Sequence, residues 1–463
     1  MTSPSANPPR IAALDFLRGC AVLGILAINI TGFWGPQLAS LSPALPAPAD
    51  PAGTRWFLVG FVLFEGKMRA LFTLLFGASM MLFAQSAQRR GLAPDRLQVR
   101  RLLWLAAFGY AHYALLWWGD ILFAYALCGL VALPLRRLEP RGLLAIGVPV
   151  FVLSRLFDGL AALPEILAEQ HVRAGIASPA EQAAMADLAA RIGQSMASDA
   201  GPLHAGFFEA VALRLTQAPA FPLTATLNTF AETFPLMLIG MALFQSGFFT
   251  GQWRARAMTA VALGGTVAGG VVSALLIAWP AREGWPVRLT FTVVTALAAL
   301  PGLAMALGYA AILLRLHPLL ARTRIGAALT ACGRTAFTNY LGTSLVMTAL
   351  FGGWKPGGWT TGLGWGGVHA VPRGVLPLFV VLGWALMLAW PRRWLAAHGQ
   401  GPLEALWRRL TFGSVPFGTG PLPHPASHKV LSLGGRVGER AGAEPSETIV
   451  SDQTLRPPRD DAG

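Results

Sequence analysis

Residues 11–33 read IAALDFLRGCAVLGILAINITGF, and the only charges in that run are Asp15 and Arg18. As a helix, the run is long enough to cross a hydrocarbon core of about 30 Å. An N-terminal stretch of this kind can pass for a signal peptide. Here two charges fall inside it and no convincing small-residue cleavage site follows Trp34, so it reads as a retained first helix. Runs of similar character recur at roughly 56–84, 100–117, 119–135, 142–162, 229–248, 256–279, 289–314, 332–351 and 374–391. Together they predict an all-α, polytopic membrane helical bundle of about ten transmembrane helices.

Composition points the same way. Of 463 residues, 54% are hydrophobic and 13% charged, about half the charge of a soluble domain. A water-soluble fold is excluded, and the lipid bilayer is the first partner. The net charge of +14 would suit nucleic acid only if it lay along one face. Instead the basic residues cluster between apolar runs: Arg89, Arg90, Arg96, Arg100 and Arg101; then Arg136, Arg137 and Arg141; then Arg254 and Arg256; then Arg315, Arg322 and Arg324. The intervening loops hold mainly Arg55, Arg282, Arg288, Lys355 and Arg373. That alternation is topological, and the positive-inside bias predicts both termini cytoplasmic. Cys20, Cys128 and Cys332 all fall in apolar segments and imply neither a disulfide framework nor a metal site.

The organisation expected is a five-helix membrane half over 1–162, an extracytoplasmic loop over 163–228, a second five-helix half over 229–411, and a disordered cytoplasmic tail over 420–463. Within the loop, Ser178, Pro179 and Glu181 match an N-cap, a first-turn proline and a capping-box acid, so a surface helix follows over about 179–199.

Ionisable groups in a span cost several kcal/mol unless they face protein or water, so they are the most informative residues here. At 100° per residue, Asp15, Arg18 and Asn29 lie within about 60° of one another and form one polar stripe. Asp15 and Arg18 can also be a plain structural ion pair near the interface. The second run opens Phe64-Glu65-Gly66-Lys67-Met68-Arg69, with Glu65 and Arg69 one turn apart and Gly66 able to break the helix at a cavity. The bland alternative places these charges among headgroups. His112 sits well inside a span, and Asp120 opens the next helix, where a carboxylate also suits the helix N-terminus. His112 with Asp120 or Glu65 would make a base with an orienting acid. Arg334, Thr338, Asn339 and Tyr340 form a further cluster, read either as ligand contacts or as interhelical glue. No phosphate-binding glycine loop, metal cluster, nucleophile elbow or haem motif is present in the sequence.

Five segments occur in order: Ala13-Leu14-Asp15-Phe16-Leu17-Arg18-Gly19, Glu65-Gly66-Lys67-Met68-Arg69-Ala70-Leu71-Phe72, Gly119-Asp120-Ile121-Leu122, Gly333-Arg334-Thr335-Ala336-Phe337-Thr338-Asn339-Tyr340, and Gly401-Pro402-Leu403-Glu404 running on to Thr411. The set resembles the YeiB-like family of uncharacterised bacterial inner-membrane proteins, a family similar to the transmembrane acyltransferases. That resemblance implies transfer of an acyl group from cytoplasmic acyl-CoA to a hydroxyl or amine acceptor. In the related acyltransferases an Arg that matches Arg18 is usually followed eleven residues later by His. This chain has Asn29 there, and no His between Trp34 and Arg55.

The leading expectation is therefore an acyltransferase. Arg18, Lys67, Arg69 and Arg334 would hold an anionic donor, Asn29 would position its carbonyl, and His112, Asp120 and Glu65 would supply the base. Asp15, Asn339 and Tyr340 complete the candidate binding set. The alternative is a transporter or flippase for a small anion or lipid-linked intermediate, since charged, glycine-broken spans also mark substrate pathways.

Overall fold

Backbone in lipid must satisfy its own hydrogen bonds, which leaves helices or a closed barrel. The computed structural model describes residues 9–352, 363 and 370–413; Lys355 and the 420–463 tail lie outside the described residues. Among the described residues there is no strand. The first six helices are α1 (Pro9–Trp34), α2 (Pro51–Leu63), α3 (Lys67–Arg89), α4 (Pro94–Leu115), α5 (Leu122–Ala132) and α6 (Pro140–Ala161). The 163–220 region holds α7 (Leu163–Ala174), α8 (Pro179–His204) and α9 (Phe207–Gln217). Then follow α10 (Phe221–Gln245), α11 (Ala255–Ala260) joined by π-helical turns to α12 (Gly269–Arg282), α13 (Val287–Thr292) and α14 (Ala299–Leu320). The chain ends its described part with α15 (Arg324–Arg334), α16 (Ala336–Phe351), α17 (Leu376–Ala389), α18 (Pro391–His398) and α19 (Pro402–Phe412).

Among the described residues, seven helical stretches are long and apolar enough to cross a membrane: Ala12–Trp34, Pro51–Arg89, Pro140–Ala174, Phe221–Gln245, Ala255–Arg282, Ala299–Leu320 and Arg373–His398. The protein is thus a helical, multi-pass membrane protein. The other three expected spans correspond to α4, α5 and α16. Helix α4 carries Asp95, Arg96, Arg100 and Arg101 in its first turns, α5 has 11 residues and α16 has 16. Large apolar side chains remain exposed on the outer helices, among them Phe157, Leu275 and Leu378. Lipid is the medium that suits such surfaces.

Hydrogen bonds tie the basic loops together at one end of the bundle. Asp95 at the start of α4 accepts from Arg136 at 2.7 Å and from Arg137 at 2.6 Å, just beyond the end of α5. Gln245, closing α10, donates to Leu138, and Arg315 of α14 donates to the Ala255 carbonyl. From this Arg-rich end α5 rises about 16 Å, roughly half the hydrocarbon core, so its first turn lies at mid-depth. At the opposite end Asp50 accepts from the Gly374 amide, Asp199 of α8 accepts from the Gln37 amide, and Arg373 donates to Ser42. Helix α8 begins with the Ser178–Glu181 capping box, which His171 joins at 2.6 Å.

Two pairs of glycines set the core. A Cβ on Gly77 would lie 2.2 Å from the Met237 carbonyl oxygen, and one on Gly240 would lie 2.2 Å from that of Leu74, so α3 and α10 touch backbone to backbone. Gly19 and Gly333 do the same for α1 and α15, with Cβ positions 2.0 Å from Leu329 O and 1.7 Å from Asp15 O. Small residues at such crossings let dispersion contacts drive helix association where lipid offers no hydrophobic gain.

Candidate functional site

Many of the polar residues of the spans, though not His112, Lys67 or Asn339, gather around two cavities, one above the other along the bundle axis. The larger, of about 430 Å³, opens toward the Arg-rich end. Its wall along α3 runs from Phe72 to Arg89, about 25 Å of helix. The inner part is apolar and aromatic, with Phe72, Leu75, Leu122 and Tyr125. Toward the mouth it becomes basic, with Arg18, Arg89, Arg101 and Arg334 facing two carboxylates, Asp15 and Glu404.

Both carboxylates are already committed. Asp15 accepts from Arg18 at 2.6 Å, and Arg18 also donates to Ser79 at 3.0 Å, which fixes the guanidinium between α1 and α3. Glu404 caps α16, accepting from the amides of Phe337 (2.8 Å) and Thr338 (3.0 Å). Arg101 stacks on Trp407 at 4.5 Å and Phe83 at 4.9 Å, and its buried Nη1 has no hydrogen-bond partner. Four guanidiniums against two engaged carboxylates give this cavity a positive field, which suits an anionic ligand. Its apolar depth suits the ligand's chain.

The smaller cavity, of about 250 Å³, lies toward the opposite end. Asn29, Glu65, Arg69 and Asp120 line it, together with Trp118 and Thr229. Arg69 donates to Glu232 at 2.9 Å and sits 3.5 Å from Glu65; Arg155 approaches Glu232 from α6 at 4.0 Å. The buried Trp118 Nε1 has no partner. Asp120 caps α5 by accepting from the Phe123 amide at 2.7 Å, and its other oxygen is 2.9 Å from His112 Nδ1.

The α1 stripe read from the sequence is therefore divided by height. Asp15 and Arg18 reach the larger cavity, while Asn29, about 16 Å further along the helix, reaches the smaller. His112 lines neither cavity: it is buried behind Asp120, 5.1 Å from the Tyr340 ring, and its Nε2 is unpartnered. Lys67 also lies apart, fully buried, donating to the Phe61 carbonyl at the end of α2 at 2.7 Å. Asn339 is held within the protein, donating to Thr335 Oγ1 at 3.2 Å and accepting from Trp390 Nε1 at 3.0 Å. Tyr340 lines the larger cavity and donates to the Gly119 carbonyl at 3.0 Å, so it braces the loop before α5.

Two residues line both cavities, Ile121 and Tyr125. The partition is one turn of α5, tied to α3 by a 2.7 Å hydrogen bond between Tyr125 and Thr73. Sequence reasoning missed Tyr125, Thr73, Arg101 and Ser79. For Tyr125 the available signal was a phenol in an otherwise apolar segment, and for Arg101 a guanidinium one residue inside a span. Neither stands out without the neighbouring helix.

Residues 243–414 match a family described as "Protein of unknown function (DUF418)". The chain is 30% identical to "Uncharacterized protein YeiB" of Escherichia coli (strain K12) over 87% of its own length and 96% of that protein. It is 28% identical to "Uncharacterized protein YxaH" of Bacillus subtilis (strain 168), over 88% of itself and 96% of the relative. An "Uncharacterized 39.9 kDa protein in amylase 3'region" of Bacillus acidopullulyticus is 36% identical over 35% of this chain and 44% of that one. No solved structure matches the chain.

Proposed function

The chain belongs to the YeiB-like family of uncharacterised proteins, and on that premise we propose that it is a transmembrane acyltransferase of the bacterial inner membrane. It passes an acyl group from cytoplasmic acyl-CoA to a hydroxyl or amine acceptor reached from the other face. The observation that carries this reading is the pair of cavities opening toward opposite ends and sharing only Ile121 and Tyr125 as walls. The basic mouth of the larger would take the phosphates of the donor, with Arg18, Arg101 and Arg334 as the cations and the thioester end in the apolar depth. The acceptor would enter the smaller cavity. Asn29 would orient the carbonyl, and Glu65, the carboxylate with the loosest ion pair there, would take the acceptor proton. His112 would act through Asp120, holding its carboxylate in place.

In this arrangement the basic end is cytoplasmic, in keeping with the positive-inside bias. Supplying radiolabelled acyl-CoA to purified protein in nanodiscs with a bacterial membrane extract tests the reading. Label transfer with release of free CoA is expected, and Glu65→Gln should slow it by about 10²-fold or more. Absence of both CoA binding and CoA release in folded protein would overturn it.

A second reading draws on the same thin partition. A transporter or flippase for an anionic substrate would also place a mid-depth helix terminus and a broken span, Pro51–Arg89 with its turn at Gly66 (φ +74°), beside two opposed cavities. Uptake of the substrate into proteoliposomes without CoA release would favour it.

A further inference from the structure

Two cavities that share one helical turn raise the question of where a transferred group crosses. Tyr125 projects from that turn, is 2% exposed, and lines both cavities. Its hydroxyl lies 2.7 Å from Thr73 Oγ1 and 3.5 Å from the Arg69 carbonyl, and Thr73 is itself 2.8 Å from that carbonyl. Two hydroxyls here share one good acceptor. When Thr73 donates to Arg69, Tyr125 donates to Thr73. When Thr73 turns to donate to Tyr125, the phenolic proton is released toward the cavities. The switch needs the two hydroxyls to rotate together and no backbone movement.

We propose that acyl transfer takes place against Tyr125, whose hydroxyl donates a hydrogen bond to the carbonyl oxygen of the acyl group as it passes from donor to acceptor. The inference rests on the acyltransferase reading above. The acceptor oxygen or nitrogen attacks the thioester carbon, the new C–O or C–N bond forms, and the C–S bond breaks. The acceptor proton goes to Glu65, and the leaving CoA thiolate withdraws through the larger cavity and takes its proton from water at the Arg-rich mouth. Negative charge gathers on the carbonyl oxygen in the transition state, and a preorganised donor in a dry site is most effective there. A phenol held at the meeting point of the two cavities meets that requirement. Removing one such donor typically costs 10²–10³-fold in turnover, on the order expected here.

The test compares wild-type protein, Tyr125→Phe and Thr73→Val in nanodiscs. Acetyl-CoA serves as donor and water as acceptor, and free CoA release is followed alongside acetyl-CoA binding. Tyr125→Phe keeps the ring and its packing but removes the donor; Thr73→Val breaks the same hydrogen bond but leaves the phenol. The expected result is a fall in kcat of about 10² for Tyr125→Phe with little change in KM, and a smaller fall for Thr73→Val. Equal losses in both variants would mean that the hydrogen bond is merely structural and would overturn the proposal, as would wild-type turnover in Tyr125→Phe. Should the wild type bind acetyl-CoA and turn it over while Tyr125→Phe matches it, the Tyr125 role alone fails. If the folded wild type neither binds nor cleaves acetyl-CoA, the acyltransferase reading fails and takes this role with it.

Discussion

Lys67 and Arg18 are both cations inside apolar helices, and the sequence assigned them the same task. Their surroundings separate them. Arg18 is held by Asp15 and Ser79 with its guanidinium on the wall of the larger cavity, one quarter exposed. Lys67 is fully buried and caps the Phe61 carbonyl at the break between α2 and α3. A charge-assisted bond to a phosphate is worth about 1.5–3 kcal/mol, so Arg18→Ala should raise the Kd for CoA by about tenfold or more. Lys67→Met leaves a buried carbonyl unpaired at about 1–3 kcal/mol. It should lower the melting temperature and leave the CoA Kd unchanged. Isothermal titration and thermal unfolding of the two variants separate these roles; a loss of CoA affinity in Lys67→Met would return Lys67 to the binding set. At this scale the sequence exposed which groups were costly in lipid and not which of them shared a cavity, because that depends on the helix opposite. Asn339 shows the same limit: its four-residue spacing from Thr335 gives its hydrogen bond there, whereas its bond to Trp390 crosses to the end of α17.

Among the elements, the sequence motifs turn out to be halves of contacts. Arg18-Gly19 on α1 meets Gly333-Arg334 on α15 through glycines that leave no room for a side chain. Glu404, opening α19, caps the start of α16 at Phe337 and Thr338. Gly119-Asp120-Ile121-Leu122 starts the short helix that parts the cavities, and Tyr340 of the fourth segment braces it. Gly333→Ala would place a methyl 1.7 Å from the Asp15 carbonyl oxygen. Backbone has to move to admit it, so overpacking should cost at least about 1–3 kcal/mol. A lower melting temperature with weakened CoA binding is expected, since Asp15 and Arg18 share the displaced turn. An unchanged melting temperature would show that α1 and α15 are not in close contact. Seven of the ten expected spans coincide with helices long and apolar enough to cross a membrane, and those were legible from apolarity and length. The shortness of α5 was less so, because the apolar run 119–135 continues past the helix end at Ala132 into the basic loop.

For the whole molecule, the division into a basic cavity at one end and a polar, aromatic-lined cavity at the other gives the account its direction. That the Arg clusters share one end of the bundle was readable from their alternation along the chain, and the hydrogen bonds among those loops join them there. The cavities were not readable, since each is assembled from helices far apart in the chain: α1, α3, α4 and α5 with α15, α16 and α19 for the larger, and α1, α3, α5 and α10 for the smaller. Division of labour between two faces is the central claim, and a sided assay tests it most directly. Protein is reconstituted into proteoliposomes sorted by orientation, with labelled acyl-CoA supplied only to the outer medium and a membrane-extract acceptor sealed inside. Transfer is expected only when the Arg-rich end faces the acyl-CoA. Transfer from either face at equal rate, or from the opposite face alone, would contradict it.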